Sequence, residues 1–292
     1  MNPSDTTDTL RQPFRRHTLA RRAAVRACEV GARAVGAAAL YRRNHLARGR
    51  LVVRRETLAI ANLPRGLDGF RVVQLSDIHA GPFIGSGDLA PVIDAALELA
   101  PHAIAITGDL ITHAWSDVLA IAADLGRLRA QHGVFAVFGN HDYRGRREGE
   151  IASALEPLGI TFLRNASRRI EVEGGALAVV GVEDLEEAKL IDLAAARAGV
   201  RDGDFELVLC HNPQGAPFVA RERCVAVLAG HTHGHQIDLP FARRAGPAHP
   251  GTRVRLGATT LIVSRGLGAI GLPLRVGAPA EIVLVELRRS DA

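Results

Sequence analysis

The sequence predicts an α/β fold in which two packed, mixed β-sheets are flanked by helices, and three observations carry that reading. The 292-residue chain is 47% apolar but only 4% aromatic, so its core must come mainly from Val, Leu, Ile and Ala, the mixture of buried sheet covered by helices. From residue 51 onward, short apolar runs rich in β-formers alternate with helical patterns. Further strand-like segments late in the chain then bring enough sheet for two layers.

Residues 1 to 17 are polar and read as an unordered arm. From Leu19 to Tyr41 the chain turns Ala- and Val-rich, while Arg22, Arg26, Glu29 and Arg33 recur at steps of four, three and four. That spacing places them along one stripe of an amphipathic helix over about residues 19–43. A charge on every turn makes a poor spanning segment, since crossing a bilayer takes about 20 mainly apolar residues. The helix is expected to lie in a membrane interface or to pack on the body. Arg15-Arg16 before the Ala-rich stretch loosely resembles a twin-arginine export signal, but charges interrupt the hydrophobic region, and a cytoplasmic location is expected, peripheral on the inner face of the membrane where the arm binds lipid.

The arm is also basic. Residues 1 to 55 hold 13 Arg against Asp5, Asp8 and Glu29, a net of +10, which leaves −5 for the other 237 residues. Such an arm suits a polyanion, although Lys189 is the only lysine and the chain favours Arg throughout. Residues 1–50 are therefore read as an arm and 51–292 as one catalytic domain.

Within that domain the predicted strands are residues 71–76, 103–107, 134–138, 207–210 and 225–229, with 177–182 and 281–287 as further strands. Between the first two lies an amphipathic helix, with Asp88 as its expected N-cap, Pro91 in its first turn and Pro101 closing it. Three cysteines, Cys28, Cys210 and Cys224, have no metal-type spacing and are expected to be small buried residues in a reducing compartment.

Five of the strands run into chemistry-bearing motifs: Asp77-Ile78-His79, Gly108-Asp109, Gly139-Asn140-His141-Asp142, His211, and Gly230-His231-Thr232-His233-Gly234. Ligands in open α/β sheets bind beyond the carboxyl ends of strands, where loops converge. Two Asp, one Asn and four His offer oxygen and imidazole donors without a thiolate, a set suited to Mn, Fe, Zn, Mg or Ni. Seven donors exceed the needs of one ion that must also leave room for substrate, so they suit two ions sharing one carboxylate. Each motif alone is weak, since a lone Asp can cap a helix and a lone His can lie on a surface. Five in order at strand ends are not.

The ordered set DxH, GD, GNHD, H and GHTH resembles the calcineurin-like metallophosphoesterase family, as do the spacings of 32 residues from Asp77 to Asp109, 31 on to Asn140 and 20 from His211 to His231. The resemblance implies a four-layer α/β/β/α sandwich. It implies that Asp77, His79 and His233 hold one divalent ion, that Asn140, His211 and His231 hold the other, and that Asp109 bridges them. It further implies that His141 contacts the phosphate and serves the leaving oxygen, with Asp142 orienting its imidazole and raising its pKa. Water activated between two ions about 3.5 to 4 Å apart would attack in line.

Ser264-Arg265-Gly266-Leu267-Gly268, with Pro273-Leu274-Arg275 after it, resembles a bacterial branch whose members include phosphodiesterases and a UDP-diacylglucosamine pyrophosphatase. The branch implies hydrolysis of a phosphodiester or pyrophosphate, small or lipid-linked. Arg265 is read as a phosphate grip or an ordinary structural ion pair. A nuclease or phosphomonoesterase of the same fold is the alternative, though stacking aromatics are scarce, with Trp115, Tyr41 and Tyr143 the only Trp and Tyr. The complete ligand set argues against a non-catalytic scaffold. His235 is read as a neighbour of the last motif, His102, His113 and His132 as surface groups, His17 and His45 as part of the arm, and His249 as a loop residue.

Overall fold

The computed structural model describes residues 9–10, 19–188, 190–238, 248–249 and 251–290, with the backbone alone described at Thr9, Leu10, Leu19, Arg21 and Arg22. The expectation for residues 1 to 17, with that for His17, therefore falls outside the described residues except at Thr9 and Leu10, which pair antiparallel with Asp192 and Ile191.

The strands are β1 (Val52–Ala61), β2 (Arg71–Leu75), β3 (Ala103–Thr107), β4 (Val134–Val137), β5 (Ile160–Phe162) and β6 (Ala166–Val172). They continue as β7 (Gly175–Gly181), β8 (Phe205–Leu209), β9 (Cys224–Ala229), β10 (Arg253–Leu256), β11 (Thr259–Val263) and β12 (Glu281–Ser290). One six-stranded sheet has the order β1-β12-β2-β3-β4-β5 and the other β10-β11-β9-β8-β7-β6. Both are mixed: β2 to β5 run parallel while β12 opposes β2, and β7, β8, β9 and β11 run parallel between antiparallel edges.

Consecutive side chains on these strands point to opposite faces, and both faces are apolar. Val73, Leu75, Ile104, Ile106 and Ala136 pack outward with Ile93, Ile121 and Leu155 of the helices α3 (Ala90–Glu98), α4 (Val118–Leu125) and α5 (Glu148–Leu155). Val72, Ala105, Phe135 and Val137 turn inward to meet Val179, Leu207 and Leu228 of the second sheet. On that sheet's far side, Val180, Val208 and Val227 cluster with Ala196 of α6 (Leu193–Arg197) and Val219 of α7 (Ala216–Val219). The result is the four-layer α/β/β/α order. Each such side chain taken from water contributes about 1.5 to 3 kcal/mol.

One polar bridge crosses the inner layer below the strand ends. Gln74 of β2 donates through Nε2 to Thr107 Oγ1 of the same sheet (2.9 Å) and to the Ala229 carbonyl of the opposite sheet (2.8 Å). A buried amide with two partners at fixed distance ties the two carboxyl edges together.

The arm is helical, as α1 (Leu19–Ala34) and α2 (Ala37–Tyr41), followed by a π-helical turn over Arg42–Leu46. It packs on the body. Tyr41 and Leu46 enter the helix-side core, Tyr41 donates to the Leu267 carbonyl (2.5 Å), and Arg42 pairs with Asp88 (3.1 Å). This contact corrects the reading of Asp88 as a helix cap. Its carboxylate accepts from the Gly85 N–H (2.8 Å) and meets Arg42, leaving Leu89 as the N-cap of α3. Pro91 does occupy the first turn. Cys210 and Cys224 are buried, but Cys28 is exposed on α1, against expectation.

Candidate metal centre

All five motifs lie beyond the carboxyl ends of β2, β3, β4, β8 and β9, and the loops continue the sheet's own pairing. Asp77 N–H donates to the Gly108 carbonyl (3.0 Å), His79 N–H to the Asp109 carbonyl (3.0 Å) and Gly230 N–H to the His211 carbonyl (2.9 Å). The approach is so close that glycine is required between strand and ligand: a Cβ on Gly108 would lie 2.6 Å from Gly139 N and 2.7 Å from His211 Nδ1. The side chains that follow stand on a strained backbone, with φ of 49° at Asp77, 51° at His79, 53° at Asp109, 70° at His231 and 53° at His233. Non-glycine residues reach this region at a cost of about 1 kcal/mol or more, and such strain concentrates at functional sites.

Asp77, His79, Asp109 and His233 are buried and offer donor atoms that all lie within 4.8 Å of one another. His79 Nε2 is 2.9 Å from His233 Nε2 and 3.4 Å from Asp109 Oδ2, and His233 Nε2 is 3.4 Å from Asp77 Oδ1. A second group adjoins the first through the same carboxylate. His211 Nε2 is 3.4 Å from Asp109 Oδ2 and 3.3 Å from Asn140 Oδ1, which lies 3.0 Å from His231 Nδ1. All seven residues are thus brought together, with Asp109 common to both groups.

The residues fit metal ions. Asp77 and Asp109 are 0% and 2% exposed, yet among the described residues neither has a guanidinium or ammonium partner. A buried carboxylate with no cation is strongly disfavoured. Burial also pushes the imidazoles of His79 and His233 down, the latter to about 4, which favours the neutral ring that metal ligation requires. Burial alone would raise the Asp109 carboxyl, but His211 and His141 outweigh it and hold the group well below the usual range. Backbone groups aim the remaining ligands: the Thr107 carbonyl faces His211 Nδ1 at 2.7 Å, leaving Nε2 toward Asp109, and Asp77 accepts the His231 N–H at 2.9 Å.

His141 adjoins this cluster, its ring edge-on to His79 with centroids 4.7 Å apart. Its Nδ1 faces the Thr112 carbonyl (3.0 Å) and its Nε2 meets the Arg144 guanidinium (2.9 Å). Asp142 does not orient it. That carboxylate instead accepts from the N–H groups of Gly139 (2.9 Å) and Ile111 (3.2 Å), bracing the loops that follow β3 and β4. Nor is the imidazole raised: burial, with Arg144 nearby, brings it down to about 3, while burial and the Asp109 carboxylate push Asp142 up to about 8.

Sequence reasoning missed several contributors. Glu186, in the loop after β7, lies 3.4 Å from His231 Nε2 and accepts from Asn212 Nδ2 (3.2 Å). Asp184 accepts the N–H groups of Glu186 and Glu187, forming the turn that presents Glu186. The acidic run Glu183-Asp184-Leu185-Glu186-Glu187 after an apolar strand was the available signal. Arg144 follows GNHD by one residue and carries no motif of its own. His113, read as a surface group, is bonded to buried Glu29 of α1 (2.5 Å). His102 likewise accepts the Arg71 N–H (2.9 Å) and stacks on Phe70.

The Ser264–Gly268 segment clamps the first motif. Leu267 and Gly268 N–H donate to the carbonyls of Ser76 (3.0 Å) and Asp77 (2.7 Å), and a Cβ on Gly266 would fall 2.6 Å from Asp77 Cβ. Arg265 takes the structural role, paired with buried Glu281 (3.2 Å). Arg275 is buried behind it, donating to the carbonyls of Gly268 (2.6 Å) and Ala278 (3.0 Å).

Two sheets converging on a buried carboxylate and imidazole cluster define a metal-dependent phosphoesterase, a hydrolase of ester bonds. The chain belongs to the calcineurin-like phosphoesterase family, whose model matches residues 70–235; the family works through a centre of two divalent metal ions. It is 30% identical over 243 residues to the uncharacterized metallophosphoesterase YkuE of Bacillus subtilis, covering 80% of this chain and 85% of that one. It is 29% identical to a transmembrane protein with metallophosphoesterase domain of Danio rerio, over 80% of this chain but only 56% of the relative. Phosphodiesterase YaeI of Escherichia coli is 28% identical, over 75% of this chain and 82% of its own length. Among the described residues, no helix is long and apolar enough to cross a membrane.

Proposed function

We propose that the chain hydrolyses a phosphodiester or pyrophosphate, with Asp77, His79 and His233 around one ion, Asn140, His211 and His231 around the other, and Asp109 between them. The observation that carries this reading is the Asp109 carboxylate, whose Oδ2 lies 3.4 Å from both His79 Nε2 and His211 Nε2. When bound, two divalent ions lower the pKa of water and stabilise charge on phosphate oxygens.

The chain's own residues supply the rest. The Thr112 carbonyl fixes the ring of His141, Arg144 holds a positive charge at its Nε2, and both groups line the cavity an arriving phosphate would enter. A negative phosphate that draws the Arg144 guanidinium from Nε2 would leave that nitrogen open to a proton, favour the protonated imidazole, and let Nε2 pass the proton to the leaving oxygen. Preference for a second substituent is supported by a cavity of about 500 Å³ beside His141 whose lining includes Val25, Tyr143 and Ile270. The phosphodiesterase name of the Escherichia coli relative points the same way.

A lipid-linked substrate at the cytoplasmic face of a membrane is favoured by the arm, where Val30, Val35 and Leu40 are 64%, 81% and 58% exposed on a basic segment. With bis-p-nitrophenyl phosphate under saturating Mn, Asn140→Ala and His231→Ala are expected to lose roughly 10³-fold or more in kcat/KM. Unchanged turnover would sink the proposal, and wild-type activity confined to monoesters would remove the diester preference.

A further inference from the structure

We infer that His113 is a positioning residue for Arg144, and that the helical arm reaches the phosphate site through it, by a relay from Glu29 of α1 through His113 to Arg144 and His141. The inference rests on the phosphoester-hydrolase reading and assigns roles to residues that no motif marks.

The hydrogen bonds define each link. Glu29 is almost fully buried, and its carboxylate, an acceptor only, meets His113 Nε2 (2.5 Å) and the Gly271 N–H (3.0 Å). His113 therefore donates through Nε2, and in the neutral ring that leaves a lone pair on Nδ1. Nδ1 accepts from Nη1 of Arg144 (3.4 Å), which also donates to the Thr112 carbonyl (2.6 Å). The two acceptors use the two hydrogens of Nη1 and hold that end of the guanidinium. Its other end, Nη2, meets His141 Nε2 (2.9 Å), and His141 Nδ1 faces the same Thr112 carbonyl (3.0 Å). His113, His141 and Arg144 all line the cavity beside the candidate metal ligands. A planar guanidinium held at Nη1 can turn Nη2 from His141 toward a phosphate oxygen without leaving its place, whereas an untethered one would have to be ordered by the phosphate at the expense of affinity.

The two nitrogens of His113 can be separated by substitution. Asn places its amide oxygen near the position of Nδ1 and Gln places its amide nitrogen near that of Nε2, so His113→Asn keeps the bond to Arg144 and His113→Gln keeps the bond to Glu29. Inorganic phosphate is titrated calorimetrically into the full-length, Mn-loaded proteins, alongside turnover of bis-p-nitrophenyl phosphate. His113→Gln should weaken phosphate about fivefold, the size of one ordinary hydrogen bond, and raise KM by a like factor, with the loss in KM and not in kcat. His113→Asn should stay within about twofold of the wild type in both. Glu29→Ala should weaken phosphate about threefold and add nothing further on a His113→Gln background, where the relay is already cut. Loss in His113→Asn but not in His113→Gln would reduce His113 to a tether for the arm, and equal losses in both would reduce it to packing. Either result overturns the inference, as does undiminished affinity in His113→Gln or full additivity with Glu29→Ala. A wild type that binds phosphate without hydrolysing bis-p-nitrophenyl phosphate would instead count against the phosphodiesterase reading, with the binding ratios still readable.

Discussion

At the carboxyl edge of the sheets, Asp77, His79, Asp109, His231 and His233 stand on left-handed backbone between 49° and 70° in φ, with Asp77, His79 and Asp109 joined by backbone hydrogen bonds between loops and the His231 N–H held by the Asp77 carboxylate. Across the cavity, Val25 and Arg26 ride on a regular helix fastened by the Glu29 carboxylate and, further along the arm, the Tyr41 hydroxyl. The first wall is held mainly through backbone bonds and close glycine contacts and tolerates almost no displacement. The second is held through side chains, so its surface can change without disturbing the sheets. The first wall carries the candidate metal ligands, and the second lines the cavity that adjoins them.

The comparison can be broken first at His141. His141→Gln should lower kcat for bis-p-nitrophenyl phosphate by roughly 10² to 10⁴, with metal content unchanged. Next comes Gly230→Ala, whose Cβ would collide with Ser76 Oγ and the Asp77 carboxylate. A shift of even 1 Å there should cost about 10²-fold in kcat, together with roughly 1 to 3 kcal/mol of stability by urea titration. On the other wall, Glu29→Ala should loosen α1, raising KM for a long-chain diester about fivefold while kcat for bis-p-nitrophenyl phosphate stays within about twofold.

A pH experiment sharpens the same contrast in metal-stripped protein. His141 and His233 are buried neutral, with pKa values brought down to about 3 and about 4. The unfolded chain, with ordinary histidines near 6.5, binds more protons than the native state below that value. The stability these groups contribute is therefore present above about pH 6.5 and is lost as pH falls toward 4. His141→Gln should show a shallower loss of urea midpoint over that interval than the wild type. The smallest effect is a labelling pattern: at pH 8 native protein should expose one reactive thiol, Cys28 on the arm. Burial pushes Cys210 and Cys224 up to about 12, so these should react only in denaturant.

The strands that carry motifs were legible because parallel, doubly buried strands read as continuous apolar runs. The hairpin strand β6, Ala166–Val172, was not, since Arg168, Arg169 and Glu171 interrupt it on an edge where one face meets solvent. All seven candidate donors were visible because each follows a strand end directly. His141's real partners were hidden because the Thr112 carbonyl and Arg144 are brought to it by loop geometry, which sequence spacing does not encode. Glu186 was hidden for the same reason. The arm's packing depended on single buried polar contacts at Glu29 and Tyr41, which look in sequence like any charged or aromatic residue on a helix.

The shared carboxylate is tested most directly by calorimetric titration of metal-stripped protein with Mn, wild type against Asp109→Asn. Two equivalents should bind to the wild type and at most one to the variant, because the bridging charge between His79 and His211 is gone. Two equivalents bound by Asp109→Asn with undiminished affinity would contradict the shared centre.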